Sequence, residues 1–317
     1  MTANLAAQYN KQGKLLRFLR DLDGHALARL KAGYLWPPHV VLNVTSRCQL
    51  TCCHCTYGNR DKDTSIPWDD VRAFLGVLQR HGTQAIEHSG GEPTLYPHFA
   101  EMVRLIGQMG FKQGLLTNGI ALADTLTPDD MAACTWIRVS LDALTYGREV
   151  PHFEAPDYVT VTASYIWGAM SDAMALDAAA AWCDEQGVKC RVVPDVWLPL
   201  WGQARNECRR VCEAMGDAVH LINRDDDRRP PTQCISAWLK PMVGWDGWVY
   251  PCGYSTTYEW NRDIPPEFRL CHMSEAEEFF TQTPIADIGH RCTNCMGWEE
   301  NDLFAAAMAD VEHPEFF

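Results

Sequence analysis

Val40-Val-Leu-Asn-Val44 runs through Thr-Ser-Arg into Cys48-Gln-Leu-Thr-Cys52-Cys-His-Cys55, so a β-type apolar run empties into a loop with the spacing C-x3-C-x2-C. Downstream the chain alternates. Further β-type runs at Ala85–Glu87, Gly114–Leu116, Ile137–Leu141, Tyr158–Thr162 and Arg191–Val193 are separated mostly by helical patterns. The stretch after Pro67 sets Val71, Phe74, Leu75 and Leu78 on one helix face, and the next sets Phe99, Met102, Val103 and Ile106 at the same spacing. Both faces would cover a parallel sheet. The rhythm predicts an α/β fold, an open or partial (β/α)6 barrel with right-handed crossovers, whose reactive groups belong on the loops after the C-terminal strand ends. The crossover between Leu141 and Val159 is short and holds Pro151 and Pro156, which predicts a truncated or irregular helix there.

On the N-terminal side, Leu15, Phe18, Leu19 and Leu22 recur at helical spacing, so residues 1–36 read as a helical extension of two short amphipathic helices ended by Pro37 and Pro38. Beyond Pro199 the alternation stops. A short helix is expected at 205–216, Asp225–Arg229 reads as a solvated linker, and the boundary falls at 200. The expected organisation is an extension at 1–36, an α/β core at 37–200 and a smaller domain at 201–317. The chain has 317 residues, 47% of them hydrophobic, and a net charge of −14. Such acidity disfavours a wide basic surface for duplex nucleic acid or anionic lipid, though a small basic pocket is compatible with it. No apolar run approaches the length of a membrane span, and the N-terminus lacks the order of a secretory signal, so a cytoplasmic protein is expected.

Fourteen cysteines, several only two or three residues apart, point to metal ligation rather than a disulfide framework. Cys48, Cys52 and Cys55 can hold three irons of a [4Fe–4S] cube and leave the fourth open, whereas a structural zinc site wants four ligands. Behind them come Gly90-Gly91-Glu92-Pro93 after the second strand, Thr117-Asn118-Gly119 at the third and Ser140-Leu-Asp142 at the fourth. In this order the motifs resemble the radical S-adenosylmethionine (SAM) superfamily over about residues 37–200. The resemblance implies a SAM-binding [4Fe–4S] cluster on Cys48, Cys52 and Cys55, with SAM chelating the open iron. It implies SAM contacts from His54, Gly90, Gly91, Glu92, Pro93, Thr117, Asn118, Ser140 and Asp142, the Glu92 carboxylate and nearby backbone acceptors taking the SAM ammonium. One-electron cleavage of SAM would then yield a 5′-deoxyadenosyl radical that abstracts hydrogen from substrate.

In the last third, Cys234 and Cys252 bracket Gly247 as C-x12-G-x4-C, and Cys292 and Cys295 form C-x2-C. Four thiolates suit a [4Fe–4S] cluster or structural zinc, and spacing leaves both open. Beside the first motif, the set resembles the Twitch form of the SPASM auxiliary-cluster domain, with Asp246-Gly247 as its hairpin turn, and implies an auxiliary [4Fe–4S] cluster. No Cys follows Cys295 at the SPASM spacing, so a second auxiliary cluster is not expected. Cys271, between these ligands, is a candidate hydrogen donor or extra ligand; Cys53 reads as a packing thiol; Cys134, Cys183, Cys190, Cys208 and Cys212 read as core.

The resemblance leaves dehydrogenation, epimerisation and isomerisation open, on a small molecule, a peptide residue or a modified nucleotide, including amino-acid-modified thymine in phage DNA. It implies a reductant such as flavodoxin or ferredoxin. The absence of an extra N-terminal domain lowers the expectation of a peptide maturase. The segments Thr162–Trp167 and Asp195–Trp197 are expected at the barrel mouth, His88 reads as a satisfied loop histidine, and most tryptophans as core. The competing readings are a noncatalytic protein with two zinc sites, which would be colourless, and an iron–sulfur sensor or electron carrier, which would not cleave SAM.

Overall fold

The computed structural model describes residues 11–58, 61–168, 170–195, 201–222, 234–253, 266–285, 292, 295 and 297–308. Helix α1 (Lys11–Asp21) buries Leu15, and α2 (Gly24–Lys31) starts where the Asp23 carboxylate accepts the Ala26 N–H at 2.7 Å. The chain then alternates through β1 (His39–Leu42), α3 (Trp68–Arg80), β2 (Ala85–His88), α4 (Phe99–Gln108) and β3 (Lys112–Thr117). Helices α3 and α4 bury the two apolar stripes read from their periodicity. Two one-turn helices, α5 (Leu122–Thr125) and α6 (Pro128–Met131), lead to β4 (Trp136–Ser140). The crossover after β4 holds only a 3-10 segment, Leu141–Tyr146, as its length and prolines predict. Then come β5 (Thr160–Trp167), α7 (Ala173–Gln186) and β6 (Cys190–Pro194).

The alternation does not stop at 200. Helix α8 (Trp201–Met215) delivers β7 (Val219–Leu221), a seventh parallel strand paired with β6. Its three residues are too few to show a period. After α9 (Ser236–Leu239), β8 (Met242–Val243) runs parallel to β1; β9 (Trp248–Tyr250) turns back on it through Asp246-Gly247, with Gly247 at φ +78°, and β10 (Cys271–His272) pairs antiparallel with β9. Helices α10 (Ala276–Gln282) and α11 (Trp298–Met308) follow. The strands form one open, mostly parallel sheet of order β10-β9-β8-β1-β2-β3-β4-β5-β6-β7, not a closed barrel. No helix among the described residues is long and apolar enough to cross a membrane.

The sheet has two unlike faces. Residues paired across parallel strands project to one side, and successive residues alternate. His88 meets Phe99 of α4 edge-on at 5.4 Å, Gln113 donates to the Val103 carbonyl of α4 at 2.9 Å, and the Cys183 and Cys190 thiols hydrogen-bond, which marks the helix-packed face. Ala163, Tyr165 and Trp167 share that face, by register with Cys190, Val192 and Pro194. The opposite face carries His39, Val41, Glu87, Gly114, Trp136, Arg138, Ser140, Thr162, Ser164 and Arg191. A Cβ on Gly114 would lie inside the Trp136 ring, so the indole lies across β3 where no other residue leaves space.

Gly114→Ala is therefore expected to lower unfolding free energy by about 1–3 kcal/mol through displacement of the indole; an unchanged denaturant midpoint would contradict that placement. His88 gives a pH prediction. Burial, against the weaker pull of its bond to Gln113, pushes it from the ordinary 6.5 down to about 4. The unfolded chain therefore takes up the proton first on acidification, so this contribution is intact above about pH 6.5 and is lost as pH falls towards 4, by up to about 3 kcal/mol. His88→Gln should flatten that part of the stability profile relative to the parent chain, and parallel profiles would refute the assignment.

Candidate functional site

The cysteine loop begins at the C-terminal end of β1 and is closed at its neck by short antiparallel contacts. Ser46 N–H donates to the Thr64 carbonyl at 2.9 Å, Thr64 N–H to Ser46 Oγ at 3.0 Å, and Ile66 N–H to the Val44 carbonyl at 2.9 Å. Inside the loop, Lys62 Nζ donates to the Leu50 carbonyl at 2.9 Å and Thr51 Oγ1 at 2.6 Å. Cys48, Cys52 and Cys55 are half-buried free thiols. Cys48 Sγ accepts from Leu50 N–H at 3.4 Å and Asn118 Nδ2 at 3.8 Å. Burial first, and then the charges of Asp142, Cys55, Cys48 and Cys53, push the Cys52 thiol far above the ordinary range. The three sulfurs thus share one patch in which thiolates repel. A bound cation reverses that preference and deprotonates its ligands. Among the described residues, no three His, Cys, Asp or Glu side chains close up on a single ion.

His54 Nε2 lies 3.5 Å from Asp142 Oδ2. Burial pulls the imidazole down, but the Asp142 hydrogen bond and charge, with the charge of Asp195, outweigh it and raise its pKa. Asp142 is itself fixed by the Ser140 hydroxyl and by Ile166 N–H at 2.7 Å. The loop is thereby tied to the ends of β4 and β5. At its far end, Asn43 Nδ2 donates to Tyr57 OH at 3.1 Å, and that hydroxyl donates to Met242 Sδ of β8 at 3.4 Å.

The Gly90–Pro93 segment packs on the loop's root. A Cβ on Gly90 would press on Asn43 and the Thr45 carbonyl, and one on Gly91 would enter the Ser46–Arg47 backbone. Glu92, 1% exposed, accepts from Thr94 Oγ1 at 2.8 Å, Thr117 Oγ1 at 2.7 Å and Asn118 N–H at 2.7 Å. Both hydroxyls fall on Oε1, while Oε2 takes the Asn118 N–H alone and keeps further acceptor capacity beside the loop's backbone carbonyls. Pro93 and Thr94 are buried in the 3-10 turn Pro93–Leu95 that Glu92 caps.

The second thiol set also converges. Burial, then Cys252, and further Cys292 and Cys295, raise the Cys234 thiol, while burial and Cys295 push Cys292 up to about 11. Asn301, 1% exposed and silent in the sequence reading, joins its two ends: Oδ1 accepts Ile235 N–H at 2.7 Å and Nδ2 donates to Cys295 Sγ at 3.6 Å. It stands in the first turn of α11, the helix that begins three residues after Cys295.

Other candidates lie elsewhere. Cys271 pairs with Val249 and shares the helix-packed face, away from the polar one, and burial and Glu275 push it up to about 12. That placement does not suit a hydrogen donor to the polar face. Cys53 is exposed rather than packed, its N–H bonded to Tyr146 OH at 2.8 Å. Cys134, Cys183, Cys190, Cys208 and Cys212 are buried. Tyr165 and Trp167 face helices, leaving Thr162 and Ser164 on the polar face; Trp197 and Asp225–Arg229 lie outside the described residues.

Residues 42–151 match the family model of the Radical SAM superfamily. An S-adenosylmethionine-dependent nucleotide dehydratase of a Thermoplasmatales archaeon is 30% identical over 111 residues, 34% of this chain and 39% of that protein. A probable GTP 3′,8-cyclase of Methanocella arvoryzae is 31% identical over 108 residues, 34% and 35% of the two chains. These matches therefore span well under half of either relative. SuiB of Streptococcus suis bound to S-adenosylmethionine superposes with a TM-score of 0.51 at 13% identity, over 96% of this chain and 80% of that one, a likeness of fold. With its open parallel sheet and the cysteine loop at the end of β1, this chain carries a radical SAM domain over residues 42–151.

Proposed function

We propose that this protein is a radical SAM enzyme with two [4Fe–4S] clusters. The observation that carries it is the convergence of Cys48, Cys52 and Cys55 on one patch at the end of β1, with His54 tied to Asp142 and Cys48 to Asn118. At the first set a cluster suits better than zinc, because three cysteines fall short of the four ligands that a closed zinc site takes and leave one iron of a cube open. When bound, the first cluster supplies the electron that cleaves SAM to a 5′-deoxyadenosyl radical. Cys48, Cys52 and Cys55 would hold it, the Gly90–Glu92 carbonyls, Asn118 and the His54–Asp142 pair would hold SAM, and Cys234, Cys252, Cys292 and Cys295 would hold the auxiliary cluster. The substrate loses a hydrogen and is dehydrogenated, epimerised or rearranged. Two of the relatives carry names of nucleotide-acting enzymes, which supports a nucleotide among the candidate substrates. A reductant of the flavodoxin or ferredoxin type would feed the cluster, in a cytoplasm reducing enough for fourteen free thiols.

Anaerobic reconstitution should load about eight irons and, with SAM and dithionite, release 5′-deoxyadenosine. Cys48→Ala, Cys52→Ala or Cys55→Ala is expected to abolish that release while about four irons stay bound; cleavage that persists would sink the reading. Cys234→Ala or Cys295→Ala should instead lose the auxiliary iron, and full iron content in both would remove the second cluster.

A further inference from the structure

We propose that Asn301 is a positioning residue of the auxiliary cluster: its side-chain N–H, donated to the Cys295 sulfur, raises that cluster's reduction potential. The inference deepens the two-cluster reading and rests on it for the iron; the orientation of the amide does not.

The amide can face only one way. Asn301 is 1% exposed on α11, where Asn is a weak helix former, and a buried carboxamide needs partners at both ends. Its Oδ1 accepts the Ile235 N–H at 2.7 Å, the Ser236 N–H at 3.1 Å and the Ser236 hydroxyl at 3.4 Å. Two backbone N–H groups can point only at an oxygen, so they decide which end of the side chain is the NH2. That end lies 3.6 Å from Cys295 Sγ. Ile235 begins α9 without a side-chain acceptor of its own, and the Asn301 oxygen supplies one. The next N–H along, that of Ala237, donates to Cys234. One side chain thereby fixes the peptide that follows Cys234 and donates to Cys295, at opposite ends of the four-thiol set.

The sign of the effect follows from charge. Adding an electron to a cluster makes its sulfurs more negative, and a donated N–H stabilises the more negative state more strongly. Cys295 receives two such bonds, from the Gly297 N–H and from Asn301. Glu300 and Asp302 act on the same sulfur in the opposite sense; burial first, and then these carboxylates, keep the Cys295 thiol raised against its two donors. The Gly297 and Ala237 donors belong to the backbone. The Asn301 donor belongs to a side chain, so a substitution removes it and leaves the other two in place.

The test is a redox titration of the anaerobically reconstituted full-length protein with dithionite, followed by electron paramagnetic resonance, with SAM present to set the signal of the first cluster apart. Asn301→Leu is close in shape, loses both ends of the amide and adds no charge. Asn301→Asp keeps an acceptor for Ile235 and Ser236 and loses the donor. The auxiliary potential is expected to fall by about 59 mV in Asn301→Leu, about a tenfold shift of a one-electron equilibrium, and at least as far in Asn301→Asp, while the first cluster's potential stays. Both variants should also lose an exchangeable proton coupled to the reduced auxiliary cluster, read by electron–nuclear double resonance in D2O, a signature that a purely structural clamp would not change. An unmoved auxiliary potential in an iron-loaded variant overturns the role. Should Asn301→Leu shed the auxiliary iron, Asn301→Asp carries the measurement; iron lost from both would make Asn301 a structural clamp and overturn the role equally. A parent protein that loads only about four irons would overturn the two-cluster reading and this role with it, whereas about eight irons with an unmoved potential would overturn the role alone.

Discussion

The Glu92 carboxylate, shut away from water at the end of β2, holds the strand exits in register with one another. Its oxygens take hydrogen bonds from Thr94, from the Thr117 hydroxyl at the end of β3 and from the Asn118 amide just beyond it. A buried carboxylate is tolerable only with its lone pairs met, and burial already raises its pKa against those donors. The glycines before it bring this anchor against the root of the cysteine loop, because any side chain at Gly91 would collide with the Ser46–Arg47 backbone. Asn118, positioned by that carboxylate, reaches back to Cys48. The loop's position thus depends on a charge that never meets solvent.

On this frame the thiols are set in an electrostatically unfavourable state. Cys52 among its neighbours, and Cys234 among Cys252, Cys292 and Cys295, are pushed towards the neutral form by burial and by one another. Each set becomes favourable as thiolates only when a cation of sufficient charge sits among them. On the proposed two-cluster reading, folding of both loops would be linked to iron, and the N–H donors aimed at Cys48 and Cys295 would stabilise sulfur carrying negative charge.

Much of this was legible in order and spacing. The α3 and α4 stripes, the irregular crossover after β4 and the Asp246-Gly247 turn are local patterns, and local physics decides them. What escaped depends on pairing. Strands β7, β8 and β10 hold three residues or fewer and exist only because the edges of the sheet accept them. Tyr165 and Cys271 were placed by position along the chain, at a strand exit and between the second set of cysteines, whereas their side is set by a register of alternate residues. The alternation Thr160-Val-Thr-Ala-Ser-Tyr was nonetheless visible in β5, polar on one parity and apolar on the other, and assigns Thr162 and Ser164 to the helix-free face.

That two-faced pattern sets Trp136, Arg138 and Arg191 on the polar face of a strongly acidic chain. An open parallel sheet normally hides both faces under helices. Here helices α3, α4 and α7 pack on one, and the other, which Lys14 of α1 approaches, carries charged and hydroxyl side chains with an apolar patch of Val41, Met242, Tyr250 and Phe268 near the β8–β9 hairpin. Tyr57 joins that patch to the cysteine loop by donating to Met242 and meeting Trp245 edge-on at 5.1 Å. The hairpin that leads to Cys252 is thus packed against the segment that follows Cys55.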